Sequence, residues 1–213
     1  MSYDEIIQNP DYIEIESVKH SDIKAQVIKE FKENRGWAVI ANVYQIIGVL
    51  SFIAGASTAF IHFYEDRETV YLLWAGIGLV FTFTLLIVFH ELIHAVAFKL
   101  IGANNLTFGM VLRKYIFYVE ADHELINYSQ SKKVALAPVV IIGLISLTGM
   151  AVFYIHPVFY FFLSVLSIHS LLCSGDFGIL CFFQNRPDME ILTYDRKDEK
   201  KTYFYGKMIK NIK

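Results

Sequence analysis

The sequence predicts an all-α membrane protein: four transmembrane helices, with a β-hairpin at the cytoplasmic membrane interface between the second and the third. Three observations carry that expectation. Of the 213 residues, 55% are hydrophobic and 19% are charged, a balance that sets the chain apart from ordinary soluble domains. Four apolar stretches are each long enough to cross a hydrocarbon core, which takes about 20 residues. The basic residues are segregated: of 19 Lys and Arg, Arg67 alone falls on the outer side of the topology those stretches define. The length fits one membrane domain over residues 37–183, with a cytoplasmic segment, 1–36, before it and a cytoplasmic tail, 184–213, after it.

Residues 1–36 are polar and mixed in charge, and they lack the short apolar core and cleavage site of a signal peptide. Within 21–31, Ile23, Val27, Ile28 and Phe31 recur at helical spacing. They predict an amphipathic helix that either approaches the membrane or packs on the rest of the protein. The first span runs from 37 to about 63 and the second from 70 to about 101. The third runs from 134 to about 155 and the fourth from 158 to 183. Tyr64-Glu65-Asp66-Arg67-Glu68 joins the first two, and a tight turn around His156-Pro157 joins the last two. Ala137-Pro138 falls in the first turns of the third span, where proline is tolerated. Basic residues cluster before the first span, between the second and third, and in the tail. The positive-inside rule then makes this a multi-pass protein of the cell membrane with both termini and the middle loop cytoplasmic. In that loop, Leu106, Phe108 and Met110 alternate with Thr107, Gly109 and Val111, and Arg113-Lys114 precedes an aromatic and β-branched run. This predicts the hairpin. In the tail, 191–194 and 202–205 flank a charged run and predict a second hairpin. Cys173 and Cys181 stand eight apart in one apolar helix and imply no disulfide.

The residues that carry chemistry lie in the second and fourth spans. His90-Glu91-Leu92-Ile93-His94 reads H-E-x-x-H near the end of the second. Histidines at i and i+4 lie on one helix face, so both can offer an imidazole nitrogen to one ion. Glu91 sits beside them, placed to take a proton from a water whose pKa Zn²⁺ lowers to about 7. Three polar groups in a membrane-grade helix cost several kcal/mol unless paired or coordinated, which favours a metal site over a chance match. A catalytic zinc has three protein ligands and one open position. Asp176, the sole carboxylate of the fourth span, is the expected third ligand, because glycines flank it and its depth matches that of the histidine pair. It has a competing role, pairing with a lysine or capping a broken helix. Cys173 is the alternative ligand, or a packing residue. His169 shares a face with Cys173 and Asp176 but stands about 10 Å of helix rise from Asp176. It is expected to line the substrate cleft or to bond another helix. His20, His62, His123 and His156 are assigned no role.

Together these residues resemble a bacterial family of integral-membrane zincin peptidases catalogued as a domain of unknown function. The resemblance is carried by His90 to His94, Phe108-Gly109, Leu136-Ala137-Pro138 and Ser174-Gly175-Asp176. That family looks like a compact relative of site-2 proteases, in which two histidines on one helix and an aspartate on a later one hold zinc. Carried over, the resemblance implies zinc on His90, His94 and Asp176, with Glu91 as the catalytic acid/base. It also implies a membrane-protein or peptide substrate cut within or beside the lipid bilayer. The chain departs from site-2 proteases at one place: their asparagine-proline-aspartate-glycine type signature is here Ser174-Gly175-Asp176-Phe177, which keeps the carboxylate. The alternative is a non-catalytic zinc-binding membrane protein acting as a regulatory or immunity factor, which has no use for a carboxylate at Glu91. A transporter or channel subunit is disfavoured by the lack of an internal repeat. No nucleic-acid partner is expected.

Overall fold

A computed structural model describes residues 3–33, 35–111 and 116–209. In chain order its elements are α1 (Tyr3–Gln8), β1 (Ile13–Lys19), α2 (Ile23–Phe31) and α3 (Trp37–Glu65). Next come α4 (Val70–Phe81), a π-helical turn (Thr82–Leu86), α5 (Ile87–Leu100), β2 (Leu106–Val111), β3 (Ile116–Ala121) and β4 (Leu125–Asn127). The chain continues through α6 (Tyr128–Val152), α7 (Phe159–Leu172), α8 (Ser174–Gln184), β5 (Met189–Arg196) and β6 (Lys201–Met208). Among the described residues, four helical stretches are long and apolar enough to cross a membrane: Trp37–Glu65, Val70–Leu100, Tyr128–Val152 and Phe159–Gln184. Their apolar side chains are widely exposed, Ile46 and Leu50 on α3 and Leu144 and Ile145 on α6 among them. Such a surface suits lipid and not water.

The protein is mostly helical but not all-α, which corrects the expected fold class. Two sheets are present among the described residues: the β2–β3 hairpin and a four-stranded sheet in the order β1-β6-β5-β4. The tail hairpin forms as β5 and β6, with Tyr194 opposite Tyr203. It then recruits β1 from the N-terminal segment, Ile13 pairing with Gly206, and β4, Leu125 pairing with Tyr194. The turn expected at Arg113-Lys114 lies outside the described residues.

The third helix begins earlier than its apolar run suggests. Asn127 Oδ1 accepts the Gln130 N–H at 3.0 Å, and Gln130 Oε1 accepts the Asn127 N–H at 3.1 Å. This reciprocal cap starts α6 in polar sequence and moves Pro138 from the first turns into the helix interior. The fourth stretch is interrupted at Cys173, where ψ is 5° and the helix restarts as α8.

The chain divides into two compact units. One comprises Val39–His90 and Ala137–Ser174. Here α7 receives three neighbours at glycines: Gly48 and Gly55 of α3 meet Ser170 and Leu163, Gly78 of α4 meets Phe161 and Ser164, and Gly149 of α6 meets the Phe162 ring. A Cβ at Gly78 would stand 2.7 Å from the Phe161 carbonyl, so only glycine allows that approach. Small residues at such contacts let backbones come close enough for dispersion and hydrogen bonding to hold helices together in lipid.

The other unit contains the segment through Ala38, Glu91–Leu136 and the chain from Gly175 onward. Its sheet is covered on both faces. Phe182 and Phe183 of α8 pack with Val18, Ile191 and Phe204, the Phe182 and Phe204 rings stacking at 3.9 Å. On the opposite face, Ile6 of α1 packs with Tyr194 and Tyr205. Side chains alternate along a strand, so Ile191 and Tyr194 reach different layers. Helix α2 packs on the protein, with Val27 against Gly178 and Ile23 against the Phe182 cluster. Its buried Glu30 accepts two bonds from Arg186, at 3.0 and 3.1 Å, and one from Asn185 at 2.8 Å. Breaking such a buried pair by removing one partner costs about 3–5 kcal/mol.

Candidate metal centre

His90, Glu91 and His94 all lie on α5, which follows the π-helical turn. Such turns are frequent beside functional sites. His90 and His94 are buried, and Glu91 is half-buried. Asp176 sits in the first turn of α8, where the positive end of the helix dipole favours a carboxylate.

In the unit that holds Glu91–Leu136 and the chain from Gly175, His94 Nε2 lies 3.0 Å from Asp176 Oδ1. The other ring nitrogen, Nδ1, lies 3.0 Å from the Val134 carbonyl oxygen. A carbonyl only accepts, so Nδ1 must carry the proton. Nε2 then meets the carboxylate either as the second N–H of an imidazolium, in an ion pair, or, when deprotonated, as a lone pair that shares a cation with it. That donor set fits a metal ion: nitrogen and oxygen donors meet, and the imidazole is oriented through its second nitrogen, as metal-bound histidines usually are.

The sequence reason for this orientation is Pro138. Proline has no N–H, so the carbonyl four residues earlier, that of Val134, receives no helical hydrogen bond from it. His94 Nδ1–H is its donor. The Leu136-Ala137-Pro138 motif thus acts on the histidine through a backbone group. Pro138→Ala supplies a competing N–H, and zinc affinity is expected to fall about tenfold, in the range of other outer-shell losses. Unchanged affinity in a zinc titration would contradict this role.

In the other unit, His90 Nδ1 lies 3.1 Å from His169 Nε2, and Cys173 Sγ lies 3.4 Å from the same atom. His169 and Cys173 are fully buried. The structure therefore brings His94 to Asp176, and His90 to His169 and Cys173. The placement of His169 gives it a specific partner, the ring nitrogen of a motif histidine.

A further cluster, in which His20 and Glu120 are buried and Asp195 half-buried, has no counterpart in the sequence reading. His20, Glu120 and Asp195 each place one nitrogen or oxygen atom within 4.8 Å of the others. Burial, with Lys200 nearby, pushes the His20 imidazole down to about 4. Burial and the neighbouring carboxylates push the Asp195 carboxyl up to about 7. Glu120 is also raised by burial. No spacing rule could have found this cluster, because its members come from three distant parts of the chain.

The chain belongs to the family described as "Putative zincin peptidase", which it matches over residues 83–190. The matched segment begins within the π-helical turn and ends in β5, so it contains His90, Glu91, His94, Pro138 and Asp176. Neither the curated proteins nor the solved structures contain a match to the chain.

Proposed function

We propose that the protein is an intramembrane zinc metalloprotease that hydrolyses peptide bonds in membrane or membrane-proximal segments. The observation that carries this is the approach of His94 Nε2 to Asp176 Oδ1, at 3.0 Å, next to a motif that adds a second imidazole and a carboxylate. His90 lies one helical turn from His94 on the same face of α5. His90, His94 and Asp176 would hold the ion. The chemistry zinc supplies in such a setting is Lewis acidity toward a carbonyl and a water acidic enough to ionise near neutral pH. Glu91, three residues before His94, accepts the proton of the attacking water and returns it to the leaving amine. His169 positions His90 through the imidazole contact. Zinc content tests the assignment: His94→Ala is expected to lose one equivalent per chain relative to wild type, and equal content in the two would overturn it.

The hairpin supports the choice of a peptide substrate. Among the described residues β2 pairs with β3 alone, and Phe108 and Met110 on β2 are exposed. An extended substrate can add to that edge through main-chain hydrogen bonds, with alternate side chains giving selectivity. This matters because a helical substrate hides its peptide bonds. The distribution of basic residues supports cytoplasmic termini and a hairpin at the cytoplasmic interface. A reporter fused after Lys213 should be active only in the cytoplasm; activity only outside the cell would reverse the topology.

A further inference from the structure

We propose that His20, Glu120 and Asp195 bind a divalent transition ion of the zinc class, at a second metal site that shares no residue with the H-E-x-x-H helix. The three residues come from the turn after β1, from β3 and from β5. Their ligand atoms lie within 4.8 Å of one another. His20 Nε2 and Glu120 Oε2 are 3.4 Å apart, too long for a good hydrogen bond. That separation matches the edge of a tetrahedron, roughly 3.4 Å, for ligands about 2.1 Å from a central ion.

An unpartnered atom points the same way. Glu120 is 4% exposed, yet its Oε2 has no hydrogen-bond partner, and His20, 3% exposed, turns Nε2 toward that oxygen. Leaving such a group bare in a buried site is costly, most of all when it is charged. Both carboxylates are oriented through one oxygen by a hydroxyl. Thr107 Oγ1 donates to Glu120 Oε1 at 2.8 Å, and Thr202 Oγ1 donates to Asp195 Oδ1 at 2.6 Å. Hydroxyls that fix the carboxylates of a metal site act in this way. One neutral imidazole and two carboxylates carry two negative charges, which a divalent ion balances. The lysines that act on the cluster, Lys200 on His20 and Lys197 on Glu120, are exposed and screened by solvent. Asp122 is directed elsewhere, its Oδ1 accepting from the Lys197 N–H at 3.0 Å and lying 2.9 Å from His123 Nδ1. An ion here would fasten the end of the β2–β3 hairpin to the four-stranded sheet, where Asp122 already bridges Asp195.

The test uses full-length protein in detergent, stripped by a chelator and then given Zn²⁺ alone, with bound zinc counted after desalting. Glu120→Gln keeps the side-chain shape and is expected to retain one equivalent fewer than wild type. His94→Ala is expected to retain one equivalent, and adding Glu120→Gln should weaken its zinc binding at least tenfold. Equal zinc in wild type and Glu120→Gln would overturn the proposal. If Glu120→Gln does not fold, thermal melting of stripped His94→Ala protein decides: a rise in Tm on adding Zn²⁺ supports the site, and no rise overturns it.

Discussion

Glu91→Gln is expected to lower turnover by about 10²- to 10⁴-fold, the usual contribution of a positioned general base. The amide keeps the size of the carboxylate but cannot accept the proton of the attacking water. Glu91 is half-buried on α5 and is not among the proposed zinc ligands, so the variant should fold and retain its zinc. Substrate should also remain bound longer, because the exposed edge of β2 is unchanged. Single-turnover cleavage of a membrane segment in detergent checks this. A Glu91→Gln enzyme that cleaves at the wild-type rate would remove Glu91 from the chemistry.

Asp176→Ala is expected to weaken zinc binding by more than about 100-fold, beyond the 10- to 100-fold typical of outer-shell losses. It deletes the oxygen that faces His94 Nε2. Cys173→Ala should change zinc binding little, because the thiol contacts His169 and is fully buried. His169→Ala should fall between them, near tenfold, since it acts through the orientation of His90. Zinc titrations of the three variants rank them. A larger loss in Cys173→Ala than in Asp176→Ala would make the thiolate the third ligand.

Much of the candidate site was legible because its residues are expensive where they stand. His90, Glu91, His94 and Asp176 are polar groups in apolar helices, and the spacing of the histidines states their shared face. The four long helices were legible from apolar runs alone. Three things were not. The start of α6 depends on Asn127 and Gln130 capping each other in polar sequence, which an apolar window passes over. The four-stranded sheet unites β1, β4, β5 and β6 by pairings as distant as Ile13 with Gly206, and local alternation does not name such partners. The His20, Glu120 and Asp195 cluster inherits that distance, because it forms only once those strands have met. The role of Pro138 was nearly readable: a proline in a helix leaves the carbonyl four residues back without a donor. What the sequence could not supply was His94 as the group that fills that place.

The most direct measurement compares the membrane proteomes of cells carrying wild-type protein, Glu91→Gln protein or a deletion. The account predicts that the same uncut membrane protein accumulates in the deletion and in Glu91→Gln, and not in wild type. Glu91→Gln cells indistinguishable from wild type, with His90→Ala cells resembling the deletion, would contradict it and leave a zinc-binding protein that does not cut.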